Sequence, residues 1–435
     1  MRISLWIPGL LFASCFSIIS CKSKQKSTNV NSSSKMESAT STKVNVLDSL
    51  LHAHTNEFKS ILDQPDAYRV QIIYTQINRN QQNVPSFVDY SFRLNNAEYF
   101  YPASTVKFPT SVLALQKLRE LNKPGLDRFS TMITEAGYSG MLPVYNDPSA
   151  PDGKPSIDHY IKKILLTSDN DAFNRLYEFL GSEYINSELH KKGYQSAQII
   201  HRLERSLSED ENRHSNPVHF FDLVTGQSIY SKPMFFNQQP YPDRSDRLGK
   251  AYYKNDQLID GPMDFSKKNR ISLDDLHNVL RAIMFPEAVA SQRRFNLDRE
   301  DYQFLRNYMS MYPAESGIAG YDSTSYWDAY CKFLYWGSEK GTLPKSFRVF
   351  NKVGDAYGFL LDVAYVVDFD NNIEFMVSAV IYCNSDGILN DSKYDYDAVG
   401  FPFFKNLGRV IYEYELSRKR SFTPDLSAFK FSYQK

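Results

Sequence analysis

The spacing of apolar residues after the first 45 positions changes from a helical period to a strand period. Apolar side chains recur every three or four positions between Leu47 and Leu62, which predicts an amphipathic first helix. Residues 69–74 and 87–92 are rich in β-branched and aromatic side chains, and they predict two strands separated by a polar turn at residues 78–83. The pattern therefore predicts one helix followed by a pair of strands.

A second pair of strands is predicted near the other end of the chain. Residues 358–369 and 374–382 are apolar runs joined by Asp370-Asn371-Asn372, which predicts a hairpin. A last amphipathic helix is predicted at residues 403–416, with its apolar side chains on one side. Strands are thus expected at both ends of the chain.

The middle of the chain has a mostly helical pattern. One helix is predicted to begin at Ser272, which would form a capping box with Asp275, and to end before Pro286. We therefore expect a mixed α/β (α+β) fold. It would contain one antiparallel sheet of about five strands, built from both chain ends and flanked by helices, with an all-helical subdomain inserted between its halves.

The first 45 residues have the pattern of a targeting signal. Arg2 precedes an apolar run that is too short for a stable membrane span and ends in Ile18-Ile19-Ser20-Cys21. This resembles a bacterial lipoprotein signal, which implies removal of residues 1–20 and lipid on the Cys21 thiol. Residues 21–45 are almost devoid of apolar side chains and would form a flexible tether. We expect a lipid-anchored protein of the cell envelope, facing the periplasm or the cell surface.

Composition excludes two broad classes of protein. The 435 residues are 42% hydrophobic and 23% charged, close to globular averages, so wholesale disorder is excluded. Lys and Arg number 50 and so do Asp and Glu, which argues against nucleic acid as a partner. The 30 Tyr and 30 Phe indicate a core and surface rich in aromatic side chains.

Neither cysteine nor histidine usage indicates a metal or another cofactor. Of the four cysteines, Cys15 would leave with the signal and Cys21 would carry lipid. Cys331 and Cys383 remain, either as a disulfide or as two separate buried thiols. The eight histidines show no spacing typical of metal ligands. We therefore expect no metal and no cofactor.

A candidate nucleophile precedes a predicted helix. Ser104 stands three residues before Lys107, and residues 111–121 are strongly helical in pattern. Positions three apart share one face of a helix, so the hydroxyl and the amine would meet side by side. A partly desolvated Lys107 could lose its proton and act as the base for Ser104. A capping Ser beside a solvated Lys is the alternative, because Ser-x-x-Lys also occurs by chance.

Two further motifs follow in the chain. Ser168-Asp169-Asn170 precedes a predicted helix, and Lys352-Val353-Gly354 leads into the C-terminal hairpin. With Ser104 and Lys107 they resemble the Ser-x-x-Lys, Ser-Asp-Asn and Lys-Thr-Gly set of the penicillin-recognising serine hydrolases, the class A β-lactamases and penicillin-binding proteins. Arg202-Leu203-Glu204-Arg205 also resembles the Arg-Leu-Asp-Arg that opens the Ω-loop of class A enzymes.

The resemblance implies a β-lactamase-like fold and a set of catalytic residues. Ser104 would be the nucleophile that forms an acyl-enzyme, and Lys107 would activate it. Ser168 would relay a proton to the leaving nitrogen. Lys352 would supply positive potential for the substrate carboxylate and for the Ser168 hydroxyl.

The resemblance also implies substrate-binding residues. Asn170 would hold the side-chain amide of the substrate, and Asp169 would be structural. The oxyanion hole would consist of the backbone N–H groups of Ser104 and of Asp355, which follows Gly354.

The sequence departs from the family at the carboxylate that hydrolyses the acyl-enzyme. Class A enzymes carry a Glu after the Arg-Leu-Asp-Arg stretch. In this sequence, counting forward from Arg205 places Leu207 at that position, and counting back from Asn212 places Ser208 there. Glu209 and Glu211 are possible deacylation bases if the loop is remodelled, and otherwise they are loop carboxylates in water. Without a base, acylation could proceed while hydrolysis stalls.

Two more departures concern substrate recognition. Val353 replaces the hydroxyl residue of Lys-Thr-Gly, and the lost hydrogen bond would weaken binding of a substrate carboxylate by about 1 kcal/mol or more. Asp355 places an acidic side chain beside the oxyanion position, which is unfavourable for an anionic substrate.

The predicted organisation consists of a signal, a tether and one hydrolase domain. An insertion rich in Pro, Asp, Gly and Tyr near residues 231–266 would form a lid, a recognition loop or a surface embellishment. The predicted boundaries are 1–20 for the signal, 21–45 for the lipidated Cys and tether, 46–435 for the domain, 46–103 with 340–435 for its sheet subdomain, and 104–339 for its helical subdomain.

The leading prediction is a serine hydrolase of the β-lactamase type that acts through an acyl-enzyme on Ser104, with a β-lactam as candidate substrate. One alternative is a penicillin-binding sensor or a non-hydrolysing acylatable binder, and another is a DD-peptidase acting on peptidoglycan stem peptides. We expect a monomer whose partners are a small-molecule or peptidoglycan-like substrate and, through Cys21, the membrane.

Overall fold

The computed structural model describes residues 45–433. The predicted signal, the lipidation of Cys21 and the tether up to residue 44 lie outside the described residues. Within residues 45–433, no helix is both long and apolar enough to cross a membrane.

The described chain contains α-helices, short 3-10 helices, one π-helical turn and strands. The α-helices are α1 Val46–Ala53, α2 Thr55–Asp63, α3 Lys107–Leu121, α4 Ile157–Thr167, α5 Asn170–Leu180, α6 Ser182–Lys191, α7 Glu209–Arg213, α8 Leu273–Met284, α9 Arg299–Ser310 and α10 Phe401–Ser417. The 3-10 helices are Ala103–Val106, Pro286–Ala288, Ser291–Arg293, Pro313–Glu315 and Ser427–Phe429, and the π-helical turn is Tyr396–Gly400. The strands are β1 Gln71–Arg79, β2 Pro85–Phe92, β3 Thr131–Thr134, β4 His214–Ser215, β5 Val218–Phe221, β6 Ser228–Lys232, β7 Phe235–Phe236, β8 Arg247–Leu248, β9 Ala251–Lys254, β10 Gln257–Asp260, β11 Met263–Asp264, β12 Phe347–Ala356, β13 Phe359–Asp368, β14 Ile373–Tyr382 and β15 Ile388–Leu389.

The main sheet has five antiparallel strands in the order β12-β13-β14-β1-β2. Strands from the two chain ends meet at β1, where Tyr74 pairs with Tyr90 on one side and with Val377 on the other. The predicted five-stranded antiparallel sheet built from both ends is therefore confirmed. The predicted C-terminal hairpin is also confirmed, as β13 and β14.

Helices cover both faces of the sheet, which explains why every residue of β13 is buried. Val363 and Tyr365 pack into one core together with α3 and α8. Ala364 and Val366 pack into a second core with α1, α2 and α10. Alternate side chains of one strand thus enter opposite layers, as the pleat of a strand requires.

Local signals set most helix boundaries. The Ser272 hydroxyl accepts the Asp275 N–H at 3.1 Å and begins α8 as predicted, but the Asp275 carboxylate accepts from Ser196 instead of completing a capping box. The predicted first helix is two helices, because His54 leaves helical geometry with φ −109° and ψ 53°. Gly181 ends α5.

The segment between the two halves of the sheet is not all-helical, which corrects that part of the prediction. It also carries ribbons of short strands, among them the β9–β10 hairpin in the predicted insertion. β9 additionally pairs with β15 from the C-terminal part of the chain. Strands of two to five residues are too short to show the alternation by which strands are recognised in a sequence.

Candidate active site

Ser104 lies in the 3-10 turn Ala103–Val106, which runs directly into α3. Lys107 is the first residue of α3, and its N–H donates to the Ser104 carbonyl. Ala103 has a left-handed backbone with φ +46°, which costs free energy in a non-glycine residue and is typical of functional sites. The two residues of the Ser-x-x-Lys motif are therefore one turn apart at the start of a helix.

Two buried lysines converge on the Ser168 hydroxyl. Lys107 Nζ donates to the Ser168 carbonyl and, at 3.3 Å, to Ser168 Oγ. Lys352 Nζ donates to the same Oγ at 2.8 Å and to the Val353 carbonyl at 2.8 Å. Both lone pairs of the Ser168 oxygen thus accept from amines, so its own hydrogen is free for another acceptor in the cavity. This is the arrangement that a proton relay to a leaving group needs.

Burial lowers the pKa of both amines. Lys107 is fully buried, and the loss of hydration, together with the positive charge of Lys352, moves its pKa well below that of an ordinary lysine. Burial lowers the pKa of Lys352 to about 8. Near neutral pH, Lys352 therefore stays largely charged, whereas Lys107 is driven towards the neutral amine. A neutral Lys107 that donates both N–H groups to Ser168 keeps a lone pair that can accept the Ser104 proton.

The link between α4 and α5 holds the second motif. Ser168 caps α4 in a left-handed conformation with φ +61°. Asp169 begins α5 by accepting the Ala172 N–H at 2.7 Å, and it pairs with Lys163 at 3.5 Å. The contacts of Asp169 are thus those of a structural residue. Asn170, the first residue of α5, lines the same cavity as Ser104.

Strand β12 packs directly against the Ser104 turn at Gly354. A Cβ atom at position 354 would lie 3.0 Å from both the Pro102 carbonyl oxygen and the Ser104 amide nitrogen. Backbone atoms cannot move aside as easily as the end of a flexible side chain, so any larger residue would push the strand and the turn apart by a few tenths of an ångström. The close approach places the start of Asp355 beside Ser104, where the oxyanion hole is expected.

We predict that Gly354→Ala lowers the free energy of unfolding by about 1–3 kcal/mol and also reduces activity, because the added methyl pushes β12 away from Ser104. Thermal and denaturant unfolding, together with a hydrolysis assay, would measure both effects. Gly153→Ala is the comparison: its methyl would meet no atom within 4 Å, so it should lower stability through the φ of +70° but leave activity unchanged. Full activity of Gly354→Ala would show that the close approach is unimportant.

The Asp355 side chain lies on the cavity wall, next to the expected oxyanion position. The surrounding protein limits its hydration and raises the pKa of its carboxyl, while Lys352 and Lys107 act in the opposite direction.

A buried polar network supports β12 behind the catalytic motif. Asn351 donates to Asp362 at 2.8 Å and to the Cys331 carbonyl at 2.9 Å, and Lys332 Nζ donates to the Asn351 side-chain oxygen at 2.7 Å. Asp362 also accepts two backbone N–H groups. A fully paired network of this kind rigidifies its surroundings. Cys331 and Cys383 are both free and buried, so the two-thiol alternative is the one observed.

The cavity above Ser104 has a volume of about 1070 Å³. Besides the motif residues, aromatic and basic side chains that belong to none of the sequence motifs line it. Its wall includes the motif residues Ser104, Ser168, Asn170, Val353 and Asp355, the neighbouring Trp327, Tyr330 and Cys331, and the basic residues Lys340, Lys405 and Arg409. These later residues share no motif spacing, and only the fold brings them together.

The structure does not bring Glu209 or Glu211 into this cavity. Glu209 accepts two hydrogen bonds from Arg213 and lies 3.5 Å from Lys267. Glu211 accepts from the Ser208 N–H at 2.7 Å and completes the capping box of α7. Glu204 is the carboxylate of this loop that lines the cavity.

We predict a bell-shaped pH profile for kcat/KM. Activity should rise as Lys107 loses its proton and fall above about pH 8, where Lys352 becomes neutral and its positive potential is lost. Lys352→Arg should move the alkaline limb to higher pH, because arginine keeps its proton there. An alkaline limb unchanged in that variant would contradict the assignment to Lys352.

Comparison with known proteins identifies the family. The model of the Beta-lactamase enzyme family matches residues 53–414, and the chain belongs to this family. Family and fold together support a serine hydrolase of the β-lactamase type.

Solved structures with a similar fold include two β-lactamases. One, from Xanthomonas campestris, is 12% identical, with a TM-score of 0.48, and the match covers 85% of this chain and 99% of that one. The other, a class A β-lactamase from Clostridium kluyveri, is 15% identical, with a TM-score of 0.45 and coverage of 82% and 98%. No curated protein matches the chain.

Proposed function

We propose that the protein transfers the acyl group of an amide or ester, with β-lactams as the candidate class, to Ser104 and then to water. The observation that carries the proposal is the pair of buried amines, Lys107 and Lys352, that share the Ser168 hydroxyl beside the cavity containing Ser104. A charged lysine is costly to bury, so two lysines placed against one hydroxyl favour a catalytic purpose.

The acylation step uses each of these groups once. Lys107 accepts the Ser104 proton while Ser104 Oγ attacks the carbonyl carbon, and the oxyanion forms against the N–H groups of Ser104 and Asp355. The proton then passes through Ser168 to the leaving nitrogen or oxygen as its bond to carbon breaks. The product is an ester on Ser104, and Lys107 is again neutral.

The test is turnover of a chromogenic cephalosporin and a p-nitrophenyl ester, followed from the first turnover onward. The proposal expects sustained hydrolysis of at least one probe, and Ser104→Ala should lower kcat about 10⁴-fold or more. Turnover unaffected by Ser104→Ala, or no reaction with either probe, would overturn the proposal.

A second candidate is a binder or sensor that is acylated but does not turn over. It is favoured by Leu207 and Ser208 at the position of the family carboxylate and by the hydrogen bonds that occupy Glu209 and Glu211. The same assay separates the candidates, because a sensor gives one burst equal to the protein concentration and no further product.

A further inference from the structure

Glu204 belongs to the Ω-loop-like stretch Arg202-Leu203-Glu204-Arg205, to which the sequence analysis assigned no catalytic role. It lines the same cavity as Ser104 and Asn170. Its arginine neighbours are both engaged elsewhere, because Arg202 pairs with the buried Glu178 at 3.0 Å and Arg205 donates to the Gly140 carbonyl at 2.8 Å. Within residues 45–433 the Glu204 carboxylate has no ion pair and no hydrogen bond, and it therefore remains available as a base.

The backbone that carries Glu204 is held firmly. The Asn174 side chain accepts the Leu203 N–H at 2.9 Å and donates to the Leu203 carbonyl at 3.0 Å. The Asn212 side chain accepts the Arg202 N–H at 2.9 Å. Glu204 itself has a left-handed backbone with φ +54°. A strained backbone fixed by neighbouring side chains is typical of a residue whose position matters.

The side chain that anchors this loop lies on the helix that also carries a motif residue. Asn174 and Asn170 are four residues apart in α5, so they lie on one face of the helix. Asn174 binds the residue before Glu204, and Asn170 lines the cavity that Glu204 lines. A side-chain amide and a carboxylate therefore both line the cavity, and each can hydrogen-bond to a water molecule there.

Glu204 also borders a second cavity, of about 730 Å³. The wall of this second cavity is formed by the loop around Arg205 and by Tyr252 and Tyr253 of the inserted hairpin. Because Glu204 lines both cavities, water from the second one can reach it while the acyl group fills the first.

On these grounds we propose that Glu204 is the base that hydrolyses the acyl-enzyme on Ser104, an inference that rests on the proposed function. Asp355, another carboxylate that lines this cavity, is less suited. It lies beside the expected oxyanion hole, where a second negative charge would oppose the charge that develops on the acyl oxygen.

In the deacylation step, a water molecule replaces Ser104 on the acyl carbon. Glu204 accepts one proton from a water molecule while the water oxygen bonds to the acyl carbon. The tetrahedral intermediate collapses, the bond between that carbon and Ser104 Oγ breaks, and Oγ leaves with the electron pair. The proton held by Glu204 is returned to Oγ, so that the acyl-enzyme and water yield the free acid and the original serine.

The test compares acylation and deacylation rates of the full chain and of Glu204→Gln, with intact-mass measurement during reaction with the cephalosporin and the p-nitrophenyl ester. Glutamine keeps the size of the side chain but cannot accept the proton. We expect Glu204→Gln to be acylated within about threefold of the wild-type rate and to release the acyl group at least 100-fold more slowly, so that the adduct accumulates. Glu57→Gln, an exposed change in α2, is the control.

The outcomes separate this inference from the proposed function. Wild-type turnover with equal turnover by Glu204→Gln overturns the inference and leaves the function standing. The inference is also overturned, and the function left standing, if the adduct accumulates on Glu209→Gln, Glu211→Gln or Asp355→Asn and not on Glu204→Gln. A wild-type protein that is acylated but never turns over also overturns the inference. Absence of any adduct on the wild type overturns both.

Discussion

Lys107→Arg is expected to be as inactive as Lys107→Met. Arginine keeps the positive charge, but it cannot give up its proton, whereas the site requires a neutral amine that accepts the Ser104 proton. The burial of Lys107 and its nearness to Lys352 both favour that neutral form. We expect both variants to slow acylation about 10³-fold or more, measured as the rate at which the acyl adduct appears by intact mass.

Lys352→Arg provides the matched comparison at the second amine. The role of Lys352 is to supply positive charge, which arginine also carries. Lys352→Arg should therefore keep the acylation rate at pH 7 within about tenfold of the wild-type rate. Thermal unfolding of each variant would check that the fold survives. If Lys107→Arg were acylated at nearly the wild-type rate, Lys107 would not be the base.

Ser168→Ala is expected to have the second largest effect. Without the hydroxyl, Lys107 and Lys352 lose their shared acceptor, and the leaving group loses its proton donor. Acylation should slow by about 10²–10⁴-fold. Burst kinetics with the p-nitrophenyl ester and the cephalosporin would measure the acylation rate. Acylation by the cephalosporin should slow more than acylation by the ester, because the leaving nitrogen of the cephalosporin needs the proton.

Ser168→Gly separates the effect of the lost hydroxyl on catalysis from the effect of backbone strain on stability at this position. Glycine accepts the φ of +61° more readily than alanine, so Ser168→Gly should be more stable than Ser168→Ala by about 1 kcal/mol. Both should be equally slow in acylation. If activity followed stability instead of the hydroxyl, the proton-relay role would be wrong.

Much of the fold could be predicted because it depends on local signals. The runs at residues 69–74, 87–92 and 358–382 specify the main sheet, since their alternating side chains enter two cores. Helix ends such as Ser272 and Gly181 are marked by single residues with known capping preferences. Motif order further indicated that Ser104, Ser168 and Lys352 belong to one site.

The remaining features depend on contacts between distant parts of the chain. Only the packing of β12 on the Ser104 turn shows why a glycine at position 354 is favoured. The network of Asn351, Asp362 and Lys332 joins residues without motif spacing. Glu204 could be recognised as a candidate base only from the structure, in which Glu209 and Glu211 are occupied by other hydrogen bonds.

The most direct test of the account is to locate the covalent adduct. The protein would be quenched with acid during reaction with the cephalosporin, digested, and its peptides mapped by mass spectrometry. The account predicts one acyl group per chain, on Ser104, absent in Ser104→Ala. Hydrolysis that proceeds without an adduct on Ser104, or an adduct on another residue that survives Ser104→Ala, would contradict it.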